Sequence, residues 1–250
     1  NIPIRTEEGR KIRKAFVPED GYVLVDGDYS QIELRVLAHI SKDPKLMEAF
    51  HQNLDIHTRT ASQVFHIPEE EMTSLMRDRA KAVNFGIIYG ISDYGLSRDL
   101  NIPRKEAGEY IDKYLKNYNG VKEYMDDIVK LGQEQGYVET IFHRRRYVPE
   151  LNSKNYNIRS FGRRIAMNTP IQGSAADIIK VAMVRVFHEL RRRGLRSKLI
   201  LQVHDELIIE THEDEVAEVQ ELMKDIMESS TTLDIPLKVD LEVGANWYEV

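Results

Sequence analysis

Four residues in one short stretch have the types and the spacing that a nucleotide-binding helix needs. Residues 77–90 read RDRAKAVNFGIIYG, in which Arg77, Lys81, Phe85 and Tyr89 recur at every fourth position. Residues four apart share one face of an α-helix, and this stripe extends about 18 Å along the axis. A nucleoside triphosphate has a comparable length, with phosphates at one end and a flat base at the other. The stripe therefore predicts cations on phosphate and aromatic rings on sugar and base; the alternative is a buried aromatic pair with surface cations.

The direction of this helix also suits an anion. Thr73 or Ser74 is placed to cap its N-terminus, so the cationic end of the stripe coincides with the positive end of the helix dipole. Arginine grips phosphate oxygens through a planar fork, and lysine can donate a proton as well as a charge. We therefore expect Arg77 and Lys81 to hold a triphosphate.

Carboxylates form a second group of residues that could do chemistry. Asp28 follows an apolar run at 22–26, and Asp205 with Glu206 lies between two further apolar runs. Carboxylates at the ends of strands in one sheet can converge, and like charges that close need a cation. Oxygen ligands favour Mg²⁺ or Mn²⁺, and two such ions can activate an attacking oxygen and stabilise a leaving oxygen at phosphorus. The alternative is that Asp28 caps the helix after it.

The predicted elements alternate in a way that indicates an α+β fold with a small antiparallel sheet and a large helical insertion. Strands are expected at 22–26 and 235–243, and hairpins at 137–148 and 198–210. Helices are expected at 31–50, 54–135, 156–168, 171–193 and 213–229. The first range has a break at Asp43-Pro44, and the second has breaks at Ile67-Pro68, Gly90, Ile102-Pro103 and Asn119-Gly120. An interruption at Pro170 separates the third range from the fourth. The second hairpin turns at His204-Asp205, an unfavourable pair for a tight turn, which hints at function.

The charge of the chain is unevenly distributed. The net charge is −6, but residues 205–250 carry −12 and residues 1–204 carry +6. Basic residues cluster at 10–14, 143–147 and 191–198. Such clusters suit a polyanion, although solvated helix faces are an equal alternative for any one of them.

Composition excludes several classes of protein. Hydrophobic residues make up 42% of the 250 residues, which is typical of a globular protein with a real core. The absence of cysteine excludes a disulfide scaffold and cysteine-ligated zinc. No apolar run is long enough to span a membrane, and no signal peptide is visible. The first residue is Asn1 rather than Met, which indicates a piece of a longer protein.

Three motifs stand in order along the chain: DYSQIELR at 28–35, RxxxKxxxFGxxYG at 77–90 and VHDE at 203–206. Together they resemble the signature motifs of family A DNA polymerases. The segments between them, NIPIRTEEGRKIR, DIHTRTA, GYVETIFHRRRYVPE and PIQGSAADIIK, resemble the same family in order and spacing. The resemblance covers essentially the whole chain. It implies a palm at 1–45 and 161–250 and fingers at 46–160, without the thumb and exonuclease domains.

The resemblance also implies a role for individual residues. Asp28 and Asp205, with the carbonyl of Tyr29, would bind two Mg²⁺ ions (or Mn²⁺), and Glu206 would support them. Lys81 would be the acid for pyrophosphate. The implied nucleotide-binding residues are Arg77, Lys81, Phe85, Tyr89, His57, Glu33 and Gln31, with Glu33 and Phe85 selecting deoxynucleotides and Gln31 also near the primer terminus. The implied DNA-binding residues are Arg164, Asn168, Gln172 and His204.

The implied activity is template-directed DNA synthesis in replication and repair, by nucleotidyl transfer from a deoxynucleoside triphosphate to a primer 3′-hydroxyl. The implied partners are primer–template DNA and deoxynucleoside triphosphates, for a monomer in the bacterial cytoplasm, associated with the nucleoid and not with a membrane. Two alternatives remain. One is a DNA- or nucleotide-binding fragment that is inactive on its own, and the other is a single-subunit RNA polymerase, against which Glu33 and Phe85 argue.

Overall fold

The chain divides into a unit built on a β-sheet and a unit built mainly of helices. The computed structural model describes residue 2, residues 6–65 and residues 68–250. The sheet unit comprises Asn1–Ile32, Ala175–Thr232 and Pro236–Val250, and the helical unit comprises Glu33–Ser174 and Leu233–Ile235. The predicted division into palm and fingers at residues 45 and 160 stays a prediction, since compactness alone does not identify a functional domain.

The sheet unit is built on four antiparallel strands, β1 (Tyr22–Tyr29), β4 (Lys198–Val203), β5 (Glu206–His212) and β6 (Val239–Gly244). Their order in the sheet is β4-β5-β1-β6. Strand β1 is longer than predicted and includes Asp28, and the next helix begins only at Ile32. Asp28 is therefore a strand residue, and the alternative that it caps a helix is wrong.

A helix packs against the apolar face of this sheet. Helix α10 (Val216–Glu228) follows a short 3₁₀ turn at Glu213–Glu215, which shortens the predicted helix at its start. A Cβ on Gly27 of β1 would lie only 2.8 Å from Met223 Cε and 3.0 Å from Met227 Sδ of α10. Glycine at this position lets the helix approach the strand closely. Successive strand residues alternate between faces, so Asp26 and Asp28 point to the opposite face.

The hairpin between β4 and β5 turns at the two predicted residues. His204 has φ of +48°, a left-handed conformation that is unfavourable for a residue with a Cβ. Two hydrogen bonds hold the turn in place: Tyr29 N–H donates to the Asp205 carbonyl over 3.1 Å, and Gln202 Nε2 donates to the His204 carbonyl over 2.9 Å. The backbone of Asp205 is thereby tied to the end of β1.

The helical unit consists of short helices joined by tight connections. After α1 (Glu7–Lys11) of the sheet unit, the helices are α2 (Ile32–Ser41), α3 (Pro44–His51), α4 (Ile56–Phe65), α5 (Ser74–Ile88), α6 (Asp93–Leu100), α7 (Arg104–Asn117) and α8 (Asn119–Gln135). A two-stranded hairpin follows, formed by β2 (Tyr137–Glu139) and β3 (Arg145–Tyr147), and short 3₁₀ turns lie at Ile12–Ala15, Glu69–Glu71 and Pro149–Asn152. The predicted α+β class with a helical insertion is confirmed.

Most of the predicted breaks occur where turn residues stand. Asp43 caps α3 by accepting from Lys45 N and Leu46 N, with Pro44 in the first turn. Gly90, with φ of +65°, follows α5, and the break at residues 102–103 separates α6 from α7. The break predicted at 119–120 lies one residue earlier, at Tyr118. Ile67, in the remaining predicted break, is outside the described residues.

The predicted interruption before Pro170 is wrong. Helix α9 runs without a break over Tyr156–Arg192, with Pro170 inside it. A proline inside a helix costs about 3 kcal/mol because it removes one backbone hydrogen bond and crowds the preceding turn. Packing offsets this cost: Ala166 and Ile171, on either side of the proline, are fully buried, and Tyr124 OH donates to the Met167 carbonyl over 3.0 Å.

Candidate functional site

The sheet unit brings Asp28, Asp205 and Glu206 together, as the sequence predicted. Asp28 and Glu206 are opposite partners on β1 and β5, and such partners place their side chains on the same face. Burial, followed by the negative charges of Asp205 and Glu206, raises the pKa of Asp28 to about 7. Two acidic groups raise each other's pKa only when they are near neighbours. Asp28 is thus a near neighbour of both other carboxylates, and the cation that they would share stays a prediction.

The environment of the other two carboxylates has the same character. Burial raises the pKa of Asp205, and nearby His204 and the backbone oppose this change. Burial also raises the pKa of Glu206, against the opposing charge of Arg13. The Arg13 guanidinium lies 4.3 Å from the centre of the Trp247 ring. The indole N–H of Trp247 is near enough to lower the pKa of Glu206, although it lies outside direct hydrogen-bond geometry.

Asp26 is an acidic residue of this face that the sequence analysis missed. It lies two residues before Asp28 on β1, opposite Glu242 of β6, and only 6% of its surface is exposed. Burial, then the charges of Glu206, Asp28 and Glu242, raise its pKa to about 8. Strand periodicity was the signal for it: once β1 extends to residue 29, Asp26 and Asp28 must share a face.

The residues of the acidic face fit a divalent cation that keeps other ligands. Asp28 Oδ1 and Glu206 Oε1 are buried and have no hydrogen-bond partner among the described residues. Buried carboxylate oxygens of this kind need a proton or a cation. Within the same part of the chain, no three Asp, Glu, His or Cys side chains form a complete metal-binding group. A site with few protein carboxylates suits Mg²⁺, which usually retains water and binds substrate phosphates. The roles of Asp28, Asp205 and the Tyr29 carbonyl as ligands stay a prediction.

The predicted stripe lies on α5 and just beyond it. Thr73 caps the helix by accepting from Met76 N, whereas the side chain of Ser74 is outside the described residues. Arg77 Nε donates to Asp55 Oδ2 over 2.7 Å, and Lys81 is exposed. Because Arg77 uses Nε for this bond, the two terminal nitrogens of its guanidinium can still meet phosphate oxygens.

The aromatic half of the stripe is not a buried core pair. Phe85 is half-buried and Tyr89, which follows the last residue of α5, is 37% exposed. Their rings stack at 6.3 Å between centroids with an interplanar angle of 20°. Tyr89 OH donates to Glu33 Oε2 over 2.8 Å, which links the stripe to one of the two residues expected to select the sugar. A cleft of about 570 Å³ is lined by Phe85, Gly86, Tyr89, Ile91, Ser92 and Arg164.

His57 lies beside the stripe and is not a surface residue. It is 3% exposed, and its ring is tilted against Phe85 at 5.7 Å between centroids. Burial is the main cause that lowers its pKa to about 4; Asp55 opposes the change, and Arg77 and Lys81 add to it. The imidazole is therefore neutral at pH 7. Asp55 performs the capping role at the start of α4, since it accepts from His57 N and Thr58 N.

The residues predicted to contact DNA are distributed over both units. In the helical unit, Arg164, Asn168 and Gln172 follow one another at every fourth position of α9, on one face of that helix. Arg164 lies 5.7 Å from the ring centre of Phe161, and Asn168 Nδ2 donates to the Tyr89 carbonyl over 3.3 Å. In the sheet unit, Gln31 has φ of +56° in the turn after β1, and His204 is exposed at the hairpin tip. Their contacts with DNA stay predictions.

The basic clusters have many intramolecular partners. In the 191–198 cluster, Arg192 and Arg193 bind Glu189, and Arg196 binds Glu215. In the 143–147 cluster, Arg144 donates to the Gly173 carbonyl and Arg145 to Glu139. In the 10–14 cluster, Lys14 Nζ makes a cation–π contact with Tyr248, 4.6 Å from the centre of the ring. These contacts support the alternative of structural surface charges for part of each cluster.

The described residues include no helix that is both long and apolar enough to cross a membrane.

Comparison with known proteins gives consistent matches over the whole chain. The model of DNA polymerase family A matches residues 1–249. The chain is 60% identical to DNA polymerase I of Bacillus subtilis (strain 168) and 58% identical to that of Geobacillus stearothermophilus, in each case over all of this chain but only 28% of the relative's length. The polymerase domain of Pol1 from M. smegmatis, solved in complex with DNA primer–template and dNTP, superposes with a TM-score of 0.96 at 46% identity, covering 100% of this chain and 44% of that one.

Proposed function

The chain belongs to DNA polymerase family A, and from that premise we propose that it carries the nucleotidyl-transfer site of a template-directed DNA polymerase. Its substrates would be deoxynucleoside triphosphates and the 3′-hydroxyl of a primer on a DNA template. The observation that carries the proposal is the proximity of Asp28 to Glu206, its partner across β1 and β5, and to Asp205 in the adjoining turn. Buried carboxylate oxygens of Asp28 and Glu206 lack hydrogen-bond partners among the described residues.

In the proposed reaction the primer 3′-oxygen forms a bond to the α-phosphorus, and the bond from that phosphorus to the bridging oxygen of pyrophosphate breaks. Asp28 and Asp205 would hold two Mg²⁺ ions. When bound, these ions would help the 3′-hydroxyl lose its proton and would neutralise charge on the phosphates. Glu206 would stay beside them as a further negative charge, oriented by Arg13 and Trp247.

The helical unit would bind the triphosphate. The terminal nitrogens of Arg77 would grip phosphate oxygens, with the guanidinium oriented by Asp55. Lys81 would neutralise the same phosphates and donate a proton to the departing pyrophosphate. Phe85 and Tyr89 would stack against sugar and base. Glu33, held by Tyr89 OH, would occupy the space that a ribose 2′-hydroxyl needs.

Contacts to the duplex would supply affinity without reading the sequence. Arg164, Asn168 and Gln172 lie on one face of α9, and Gln31 and His204 are expected near the primer terminus. Hydrogen-bond acceptors in the minor groove are placed alike in all base pairs, so donors there can test the shape of a pair.

Asp205→Asn is the test of the proposed function. Primer extension with Mg²⁺ should be abolished, whereas binding of labelled primer–template should stay within about twofold, because the change removes one metal ligand and keeps the shape of the turn. Asp214→Asn, at an exposed acid of the same unit, is the control and should extend normally. Extension by the Asp205 variant at the normal rate would refute the assignment.

The same assay separates the enzyme from a binding fragment. The chain spans 28% of the length of its bacillar relatives, so both the 250-residue chain and a longer protein that contains it should be assayed. Binding of primer–template by the 250-residue chain, without extension by either protein, would favour a binding module over a polymerase.

A further inference from the structure

Asn84 is a fully buried polar residue of α5 to which neither the sequence motifs nor the proposed reaction gives a role. It lies between Lys81 and Phe85 in sequence but outside the stripe, and its exposed fraction is 0%. Its Nδ2 is 2.9 Å from Nδ1 of His57 on α4. Its Oδ1 has no hydrogen-bond partner among the described residues. Burial of a carboxamide is costly unless the group is hydrogen-bonded. The bond to His57 satisfies only one of the two polar atoms of Asn84, so burial at this position needs a further reason.

His57 is held through both its backbone and its ring. The backbone N–H donates to Asp55 Oδ1 over 3.0 Å, and the ring packs against that of Phe85 at 5.7 Å between centroids, tilted by 40°. With Nδ1 engaged by Asn84, the remaining polar atom of the ring is Nε2. The orientation of the ring is thus set by packing, and only the position of its proton is left to be decided.

The protonation of His57 follows from its surroundings. The ring is buried, and the two cations Arg77 and Lys81 act on it against the single negative charge of Asp55. These surroundings disfavour the imidazolium, so the ring carries one proton at neutral pH. A neutral imidazole has one donor nitrogen and one acceptor nitrogen, and the hydrogen bond at one nitrogen decides which is which.

We propose that Asn84 is a positioning residue that fixes neutral His57 in the tautomer with its proton on Nε2, so that the ring donates an N–H to a phosphate oxygen of the incoming triphosphate. Asn84 Nδ2–H donates to the Nδ1 lone pair, and Nε2–H is then directed to the ligand. This inference rests on the proposed function, because the triphosphate is its ligand.

The opposite tautomer would weaken the same site. With the proton on Nδ1, Nε2 would present a lone pair to an anionic phosphate oxygen, and two acceptors repel. An imidazolium would donate, but burial beside Arg77 and Lys81 opposes it. A carboxamide solves this problem without adding charge, because it supplies a neutral donor to Nδ1. An aspartate at position 84 would instead accept from Nδ1–H and draw the proton to the wrong nitrogen.

The first test reads the tautomer directly and needs no substrate. In protein labelled with ¹⁵N-histidine, two-bond ¹H–¹⁵N correlation spectra distinguish a protonated ring nitrogen from a bare one. The chain has eight histidines, so the His57 signals are assigned by their loss in His57→Gln. We expect protonated Nε2 and bare Nδ1 at pH 7. A proton on Nδ1, or on both nitrogens, would overturn the proposal, and either result is independent of whether the protein is a polymerase.

The second test asks whether Asn84 acts through His57. Asn84→Ala should raise KM for the deoxynucleoside triphosphate about tenfold with kcat nearly unchanged, the loss expected for one hydrogen bond to a charged group. In a His57→Ala background the same change should have no further effect on KM. Equal effects in both backgrounds would mean that Asn84 acts elsewhere and would overturn the proposal.

Two further variants complete the experiment. Asn84→Asp has nearly the same shape, so it tests the site even if the alanine variant does not fold; because a carboxylate can only accept, it should place a proton on Nδ1. Asn152→Ala, at an exposed asparagine of the same unit, is the matched control and should leave KM and the His57 spectrum unchanged. A bare Nδ1 in Asn84→Asp would contradict the proposal.

Discussion

Asp28 and Glu206 stand directly opposite each other on adjacent antiparallel strands, so two carboxylates share one pleat of the sheet. Asp240 is the partner of Asp28 on the other side, and Asp26 is next on the same face. Like charges in opposite positions destabilise a sheet. Such an arrangement lowers the stability of the cation-free protein, and a bound cation would offset the repulsion between the carboxylates. The prediction about this face follows from that difference.

The first prediction concerns stability and divalent cations. Asp28→Asn should raise the free energy of unfolding at pH 8 without divalent cations by about 1–3 kcal/mol. The reason is that the pKa of Asp28 is raised to about 7 in the folded state, so its ionisation costs more free energy there than in the unfolded chain. Added Mg²⁺ should raise the Tm of the unaltered protein and have little effect on the variant. Thermal unfolding with and without Mg²⁺ measures both effects, and an equal Mg²⁺ response in the two proteins would contradict the site.

A second prediction concerns the pH dependence introduced by His57. Its pKa is about 4 in the folded protein and near 6.5 in the unfolded chain. Its contribution to stability is therefore complete above pH 6.5 and is lost as the pH falls towards 4, since the unfolded chain takes up the proton first. The loss is about 3 kcal/mol.

The test compares urea unfolding of the unaltered protein and of His57→Gln at pH 7 and at pH 4. The difference between the two proteins should shrink by about 3 kcal/mol on acidification. The same substitution at exposed His51 controls for the loss of a histidine as such. A difference that does not depend on pH would show that His57 titrates alike in both states.

A third prediction separates the two cations of the stripe. Lys81→Arg keeps the charge but removes a group that can give up a proton, so kcat should fall at least tenfold while KM for the deoxynucleotide stays within about threefold. Arg77→Lys keeps a charge but loses the fork, so KM should rise by about tenfold and kcat should change less. Steady-state primer extension measures both. The reverse pattern would mean that the two roles are exchanged.

A fourth prediction concerns the choice between ribose and deoxyribose. Glu33→Ala should increase the use of ribonucleotides by at least tenfold, because the carboxylate no longer fills the position of the 2′-hydroxyl. Tyr89→Phe, which removes the 2.8 Å bond to Glu33, should give a smaller increase. Equal use of both nucleotides by the unaltered protein would support the alternative of an RNA polymerase.

A fifth prediction places Phe85 at the sugar. Phe85→Tyr should ease the incorporation of dideoxynucleotides, since a phenolic hydroxyl can stand in for the missing 3′-hydroxyl of the nucleotide. The measurement is the ratio of dideoxynucleotide to deoxynucleotide incorporation by each protein. Phe161→Tyr, at an exposed aromatic residue of α9, serves as the control. An unchanged ratio in the Phe85 variant would remove this residue from the sugar site.

Local rules predicted much of the fold because the chain follows them in most places. Asp43 and Pro44 separate α2 from α3, Gly90 takes the positive φ after α5, and the 198–210 hairpin turns at His204-Asp205. The error at Pro170 has a tertiary cause, since buried contacts on both sides keep α9 continuous. No local pattern can report contacts of that kind.

The sequence by itself determined the chemistry of this protein: which residues can carry charge, donate protons or stack, and at what helical or strand spacing they stand. Motif order and spacing also determined the family. Only the tertiary structure decided which groups are neighbours, because Asp28 meets Glu206 through strand register, and Asn84 meets His57 through the packing of α4 on α5. It likewise decided the pKa values, since burial and the charges of distant residues shift Asp26, Asp28 and His57, and neither quantity can be read from neighbours in the chain.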